Sequence, residues 1–301
     1  MARHEPNWET YRSFLAVMTQ GSLSAAARKL ALTQPTLGRH IDALEADLKL
    51  ALFTRSQAGL IPTQAARELL PHAQAMASAA DALVRASSGA EAEERGTVRL
   101  TASVVIGAEV LPPLLTDFRD KHPAIAIELV LSDVAADLLR RDADIAVRMV
   151  RPKQDALVAK KIGRIGLGLH GHRRYLARHG TPQTLAELER HAVIGFDKET
   201  QTVQALRRMG LTLKREMFAL RTDADLAQLA ALRAGFGLGV CQFGIARRDP
   251  DLVAVLPSAF KFEIEMWLAM HKDLRGTRRM RLLFDHLAEG LAVYAATSRA
   301  R

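Results

Sequence analysis

Gln34, Thr36, Arg39 and His40 put an amide, a hydroxyl, a guanidinium and an imidazole within seven residues of the 301-residue chain. A glutamine amide donates and accepts together and can read an adenine edge bidentately. A guanidinium matches guanine or a phosphate, and a threonine hydroxyl bonds phosphate. This is chemistry for reading a nucleic-acid duplex, provided that one helix carries all four groups and presents its start to the groove.

The elements that would position them are written on either side. Trp8, Tyr11, Phe14, Leu15 and Met18 recur at helical spacing over 8–20. Gly21 ends that helix, and Ser22 caps a short one, 22–30, rich in small residues (Ala25, Ala26, Ala27). Thr33 caps a third helix with Leu37, Ile41, Leu44 and Leu48 on one side, and Pro35 lies in its first turn, where a missing N–H costs nothing. Small Ala26 and Ala27 let the second and third helices cross closely, so 22–47 reads as a helix-turn-helix. An ordinary buried helix pair would leave the polar face of Gln34, Thr36, Arg39 and His40 without a structural purpose. Leu52-Phe53, a Gln57-Ala58-Gly59 turn and Leu60-Ile61 then read as a small β-wing.

From 63 to 88, Ala66, Leu69, Ala73, Met76, Ala80 and Leu83 recur three and four residues apart. That is a heptad seam of small residues suited to a second copy of the chain, or alternatively to its own domain. Residues 87–94 form a Ser/Gly and acidic linker. After Gly96 the pattern changes. Strand 98–102, helix 110–121, strand 125–131, helix 135–141 and strand 144–147 form a βαβαβ run. A second set follows, with strands at 167–169, 193–196, 217–220 and 238–240 and helices at 185–190, 203–208 and 226–234. A long strand at 262–270 and a helix at 278–296 close the chain. The expected sheet is mostly parallel, with right-handed crossovers.

Length alone suggests two or three domains. The net charge is +9, but residues 1–95 hold 10 basic and 10 acidic groups, while 96–301 hold 32 and 23. The excess therefore lies outside the helix-turn-helix, and composition alone would not find a DNA site. Cys241 is the only cysteine, so no intrachain disulfide can form, which fits a reducing cytoplasm. No secretory signal is visible at the start, and no stretch approaches the ~20 apolar residues that span a bilayer.

The runs Gly21-Ser-Leu-Ser-Ala-Ala-Ala-Arg-Lys-Leu30, Thr33-Gln-Pro-Thr-Leu-Gly-Arg-His-Ile41, Leu44-Glu45 and Leu52-Phe53-Thr-Arg55 resemble the N-terminal signature of LysR-type transcriptional regulators. Phe118-Arg-Asp-Lys-His-Pro123, Asp144-Ile-Ala-Val-Arg148, Tyr175-Leu-Ala-Arg-His-Gly180 and Ala234-Gly-Phe-Gly-Leu-Gly-Val240 are similar to that family's effector domain, in the same order.

The resemblance implies a winged helix-turn-helix (1–62), a linker and dimerisation helix (63–90) and an effector domain (91–301) of two Rossmann-like α/β lobes, as in periplasmic binding proteins. The lobes would be about 96–163 with 265–301, and 164–264, joined by crossovers near 162–164 and 263–265. It further implies a homodimer or homotetramer on double-stranded operator DNA. Ser24, Gln34, Pro35, Thr36, Arg39 and His40 would lie at the DNA, with Arg55 on the wing. Gly38 and Ala58 depart from the pattern, standing where the family usually has serine and often a basic residue.

A ligand in such a domain belongs at the C-terminal ends of the strands. Ser103 and Val104 follow one strand and Arg148 ends another, while Phe196 and Asp223 hold the matching places in the second lobe. These are the expected effector contacts, and Arg148 with the charge excess leans toward an anionic small molecule. Each also has a plain reading: Ser103 and Asp223 as helix caps, Arg148 as partner of a carboxylate such as Asp144. Gly166, Gly168 and Gly171 fit the GxGxxG fingerprint, but they overlap a strand instead of following one. His170 and His172 could pair on a metal but lack a third ligand nearby.

The sequence therefore points to an effector-controlled regulator, with no cofactor or metal and no enzymatic activity. The alternatives are an enzyme or solute-binding module, which lacks a convergent catalytic set or an export signal, and a regulator answering to redox state or a protein partner, which only Cys241 favours.

Overall fold

The computed structural model describes residues 6–56, 59–87, 94–133, 143–152, 156–198, 203–204 and 215–299. One compact unit takes in Met1–Ser87, and nearly all of the remainder forms the second.

In the first unit, α1 (Trp8–Gln20), α2 (Leu23–Lys29) and α3 (Gln34–Leu48) pack around Phe14, Ala26, Leu37, Leu44 and Leu52, each at most 1% exposed. The local chemistry of the chain starts and stops each helix. Asn7 accepts the Glu9 amide, Ser22 the Ala25 amide and Thr33 the Thr36 amide, while Gly21 ends α1 at φ 71°. Strands β1 (Phe53–Ser56) and β2 (Gly59–Pro62) pair antiparallel, Phe53 opposite Pro62. The expected turn residues Gln57 and Ala58 lie outside the described residues.

Helix α4 (Gln64–Ser87) divides its apolar seam. Ala66 and Ala73 are buried and Leu69 packs against the core of the same unit, whereas Met76 and Leu83 are 41% and 71% exposed.

The second unit is one nine-stranded sheet with helices packed against it. The strands are β3 (Gly96–Ala102), β4 (Ile125–Leu131), β5 (Ile145–Arg148), β6 (Leu157–His172), β7 (Val193–Gly195), β8 (Phe218–Arg221), β9 (Leu238–Gln242), β10 (Leu252–Val255) and β11 (Lys261–His271). They lie in the order β4-β3-β5-β11-β6-β9-β7-β8, with β10 also on β6. The helices are α5 (Val104–Glu109), α6 (Leu111–Lys121), α7 (Arg173–His179), α8 (Asp225–Arg233), α9 (Phe243–Ala246) and α10 (Arg278–Thr297).

The expectation of a mostly parallel sheet fails at its centre. β3 pairs parallel with β4 and β5, and β7 with β8 and β9, but β11 runs antiparallel to β5 and β6, and β6 antiparallel to β9 and β10. Parallel units thus form the two lobes, and the long strands β6 and β11 pass through both. Their register shifts once. Met266 faces Gly163 and Trp267 faces Lys161, leaving Ile162 as the extra residue of a bulge. At this crossover a Cβ on Gly163 would lie 2.8 Å from Ala295, so α10 depends on glycine for its approach.

Other differences have local causes. The helix expected over 110–121 is α6, with a proline in its first turn, and α5 before it was not expected. Pro112 and Pro113 lack the N–H groups needed to continue α5. The strand expected at 167–169 extends over 16 residues because β11 pairs with its first part, where exposed Lys160, Lys161 and Arg164 hide the apolar pattern. Residues Ala186–Arg190 make a 3-10 turn rather than an α-helix. The α7, α9 and β10 elements were not expected. The helix expected at 135–141, and most of that at 203–208, fall outside the described residues.

Candidate nucleic-acid interface and effector cleft

The Thr33 cap fixes the start of α3, and Gln34, Pro35 and Arg39 are exposed there. Ser24 is exposed on α2. Thr36 is half-buried, its Oγ1 lying 2.8 Å from Thr33 Oγ1, so it is partly committed to the cap. His40 is committed further: its Nδ1 lies 2.8 Å from the hydroxyl of Ser13, a fully buried residue of α1. One ring nitrogen therefore joins α3 to α1. Arg55 stands on β1 opposite Leu60. Glu45 was read only as part of a motif, yet it braces the wing. Its Oε1 accepts the amides of Leu52 at 2.6 Å and Phe53 at 3.0 Å.

In the second unit, Ser103 sits between β3 and α5, but its hydroxyl is buried, does not cap α5 and makes no hydrogen bond among the described residues. The Val104 amide donates instead to Asp133 Oδ1 at 3.2 Å. Arg148 is 4% exposed and not a rim charge, since it donates to Val147 O at 3.1 Å and Thr101 Oγ1 at 2.9 Å.

Asp223 does not cap α8, whose N-cap is Ala224. Its Oδ1 accepts the amides of Asp197 and Lys198, both at 3.1 Å, joining two strand-end loops of the second lobe beside the half-buried Phe196. Arg215 pairs with Asp197 at 2.6 Å. Asp225 is pushed above the usual carboxylate range by burial, and further by the charges of Asp133 and Asp223. Asp133 belongs to the first lobe, so the strand-end loops of the two lobes face one another.

Behind that meeting point lies a contact the sequence did not reveal. Glu109, ending α5, takes a bidentate ion pair from Arg233, ending α8, at 2.8 and 2.7 Å. Hydrogen bonding from Arg233 holds the Glu109 carboxyl below its ordinary value, against the opposing effect of burial. Asp249 lies 3.5 Å from the same guanidinium. The Glu109–Arg233 pair thus lies at one end of this contact between the lobes, and the carboxylates of Asp133, Asp223 and Asp225 lie at the other.

Residues 91–292 match the family described as the LysR substrate binding domain, and residues 8–67 match the bacterial regulatory helix-turn-helix protein, lysR family. The chain belongs to the LysR family. It is a LysR-type DNA-binding transcriptional regulator with an effector-binding domain.

This LysR-type regulator is 26% identical over 293 residues to the probable HTH-type transcriptional regulator LtrA of Klebsiella pneumoniae, covering 95% of each chain. Its fold is shared by CrgA, a LysR-type regulator from Neisseria meningitidis (TM-score 0.59, 22% identity, 95% and 99% of the two chains). Full-length CbnR, solved in complex with its target DNA, shares it too (TM-score 0.66, 20% identity, 94% and 99%).

Three remaining features of the regulator have structural explanations. Gly166, Gly168 and Gly171 lie inside β6, where Phe243 packs over Gly168. His170 is buried, with Nδ1 2.9 Å from Gly168 O, and burial depresses its pKa; His172 instead caps α7 by accepting the Arg174 amide. Cys241 is 4% exposed in β9, and burial pushes its thiol up to about 12. Among the described residues no three His, Cys, Asp or Glu side chains gather to hold a metal, and no helix is long and apolar enough to cross a membrane.

Proposed function

We propose that this regulator reads a double-stranded operator through the start of α3 and changes its hold on that DNA when a small molecule settles between the lobes of its second unit. The observation that carries the reading is the exposed polar start of a helix whose cap and opposite face are already satisfied, with Gln34, Pro35 and Arg39 outermost. Gln34 takes a base edge. Arg39 takes guanine or phosphate, and Ser24, Thr36 and Arg55 take the backbone. His40, tied to Ser13, chiefly sets the position of α3.

The exposed Met76 and Leu83 of α4 supply a seam for a second copy, giving a homodimer that further assembles as a tetramer. The chain acts as a regulator rather than an enzyme. It works in the cytoplasm, where its DNA lies. The effector meets Ser103 and Val104 from one lobe and Phe196 and Asp223 from the other. Arg148, with both terminal nitrogens bonded inside the first lobe, gives little support to an anionic effector.

Two measurements test this. Duplexes selected from a random pool by the full chain supply a cognate site. Gln34→Ala should then weaken binding to that site by ~1–3 kcal/mol while scarcely changing binding to scrambled DNA. Equal losses on both would remove the base-reading role. Thermal shift of the full chain across a panel of metabolites should find a compound that adds ~2.7 kcal/mol at 100 times its Kd. A panel with no stabilising compound would count against the effector reading.

A further inference from the structure

Helices α5 and α8 come from opposite lobes and pack side by side, with Val105 seated on the cluster of Ile194, Leu229, Leu232 and Cys241. They run parallel. At their starts, Asp133 accepts the Val104 amide and lies close enough to Asp225 for their charges to interact. At their ends, Glu109 and Arg233 form the bidentate pair. The two ends of this helix pair therefore have opposite character. The C-terminal ends are joined by opposite charges. The N-terminal ends bring Asp133, Asp223 and Asp225 together, and none of the three carboxylates meets a cationic side chain among the described residues.

The C-terminal flank is also supported by α10. Tyr294 packs on the same apolar cluster and donates to Gln242 Oε1 at 2.6 Å, and Arg247 donates to Arg299 O at 2.8 Å. The lobes are thus fixed on one flank, while their strand-end loops meet at the other end with like charges. The bulge of β6 at Ile162 marks where the continuous strands between the lobes can bend.

We propose that the Glu109–Arg233 pair is a clasp and fulcrum, holding the ends of α5 and α8 together so that an effector entering at their starts changes the angle between the lobes by turning them about this point. Its role in signalling rests on the proposal that the effector binds between the lobes. The clasp itself is a property of the ligand-free protein. An effector can bias the lobe angle only by favouring one arrangement over another, and a fixed far end converts contact at the cleft mouth into rotation instead of separation.

Hydrogen–deuterium exchange of the full chain without effector tests the clasp, with Glu109→Gln, Arg233→Gln and the double variant compared with the parent. The pair is partly exposed, so its effect should be moderate: about three- to tenfold faster exchange in residues 104–109 and 225–233, with α6 and β4 unchanged. The double variant should exchange no faster than Arg233→Gln alone, since that change already removes the Glu109 pair together with the Asp249 contact. Changes under twofold, additive changes, or an equal rise throughout the lobes would overturn the clasp. Should Arg233→Gln fail to fold, Glu109→Gln alone decides by the same local criterion. A failed metabolite screen beside a positive exchange result would remove the effector reading and leave the clasp. The reverse pair of results would do the opposite.

Discussion

Glu45 Oε1 accepts the Leu52 amide at 2.6 Å, fastening the far end of α3 to the entry of the wing. The same oxygen takes the Phe53 amide, so one carboxylate satisfies two backbone donors where the chain turns from helix to strand. Glu45→Ala should strand both donors and cost ~1–3 kcal/mol in urea unfolding of the first unit's transition, while Glu45→Gln, which keeps an oxygen acceptor, should cost less. An alanine variant within ~0.5 kcal/mol of the parent would show that water or another group serves those amides equally well.

Gly38 lies inside α3, and a Cβ built there meets nothing within 4 Å. Its backbone is not in the left-handed region, so glycine carries only its entropic cost. Gly38→Ala should stabilise the protein by ~0.5–1 kcal/mol, seen as a higher melting temperature. Gly38→Ser should fit as well and add a hydroxyl to the surface next to Arg39. A lower melting temperature for both would mean that the position needs glycine for a reason outside this fold.

Met76 and Leu83 are the exposed part of the α4 seam, while Leu69 packs on the core of its own unit. The double replacement Met76→Asp with Leu83→Asp should therefore give a folded monomer at micromolar concentration. Leu69→Asp should instead destabilise the unit itself. Analytical sedimentation and circular dichroism separate these results. An unchanged oligomer in the double variant would place the dimer interface elsewhere.

The Cys241 thiol, pushed up to about 12 by burial, is almost wholly protonated at neutral pH. A chromogenic disulfide reagent at pH 8 should react with the native chain far more slowly than with the unfolded chain, by a factor above about a hundred. Dilute peroxide should leave DNA affinity unchanged. Rapid labelling of the native protein would restore redox sensing as an explanation of its control.

The sequence by itself determined the elements whose signals are local. Caps at Ser22 and Thr33, the Gly21 stop and the apolar rows of α1 and α3 each act within a turn or two, and the helix-turn-helix follows from them. The strand–helix alternation after Gly96 likewise announced an α/β unit. The tertiary structure decided what distant residues do to one another. β6 runs for 16 residues through polar stretches because β11 supplies its partners. Arg148 and His40, which a sequence can only mark as polar, are taken up by Thr101 and Ser13. Glu109 and Arg233 lie 124 positions apart, and no periodicity connects them. Hydrogen bonds and ion pairs act over a few ångströms in space, so their partners appear only when the fold has brought them together.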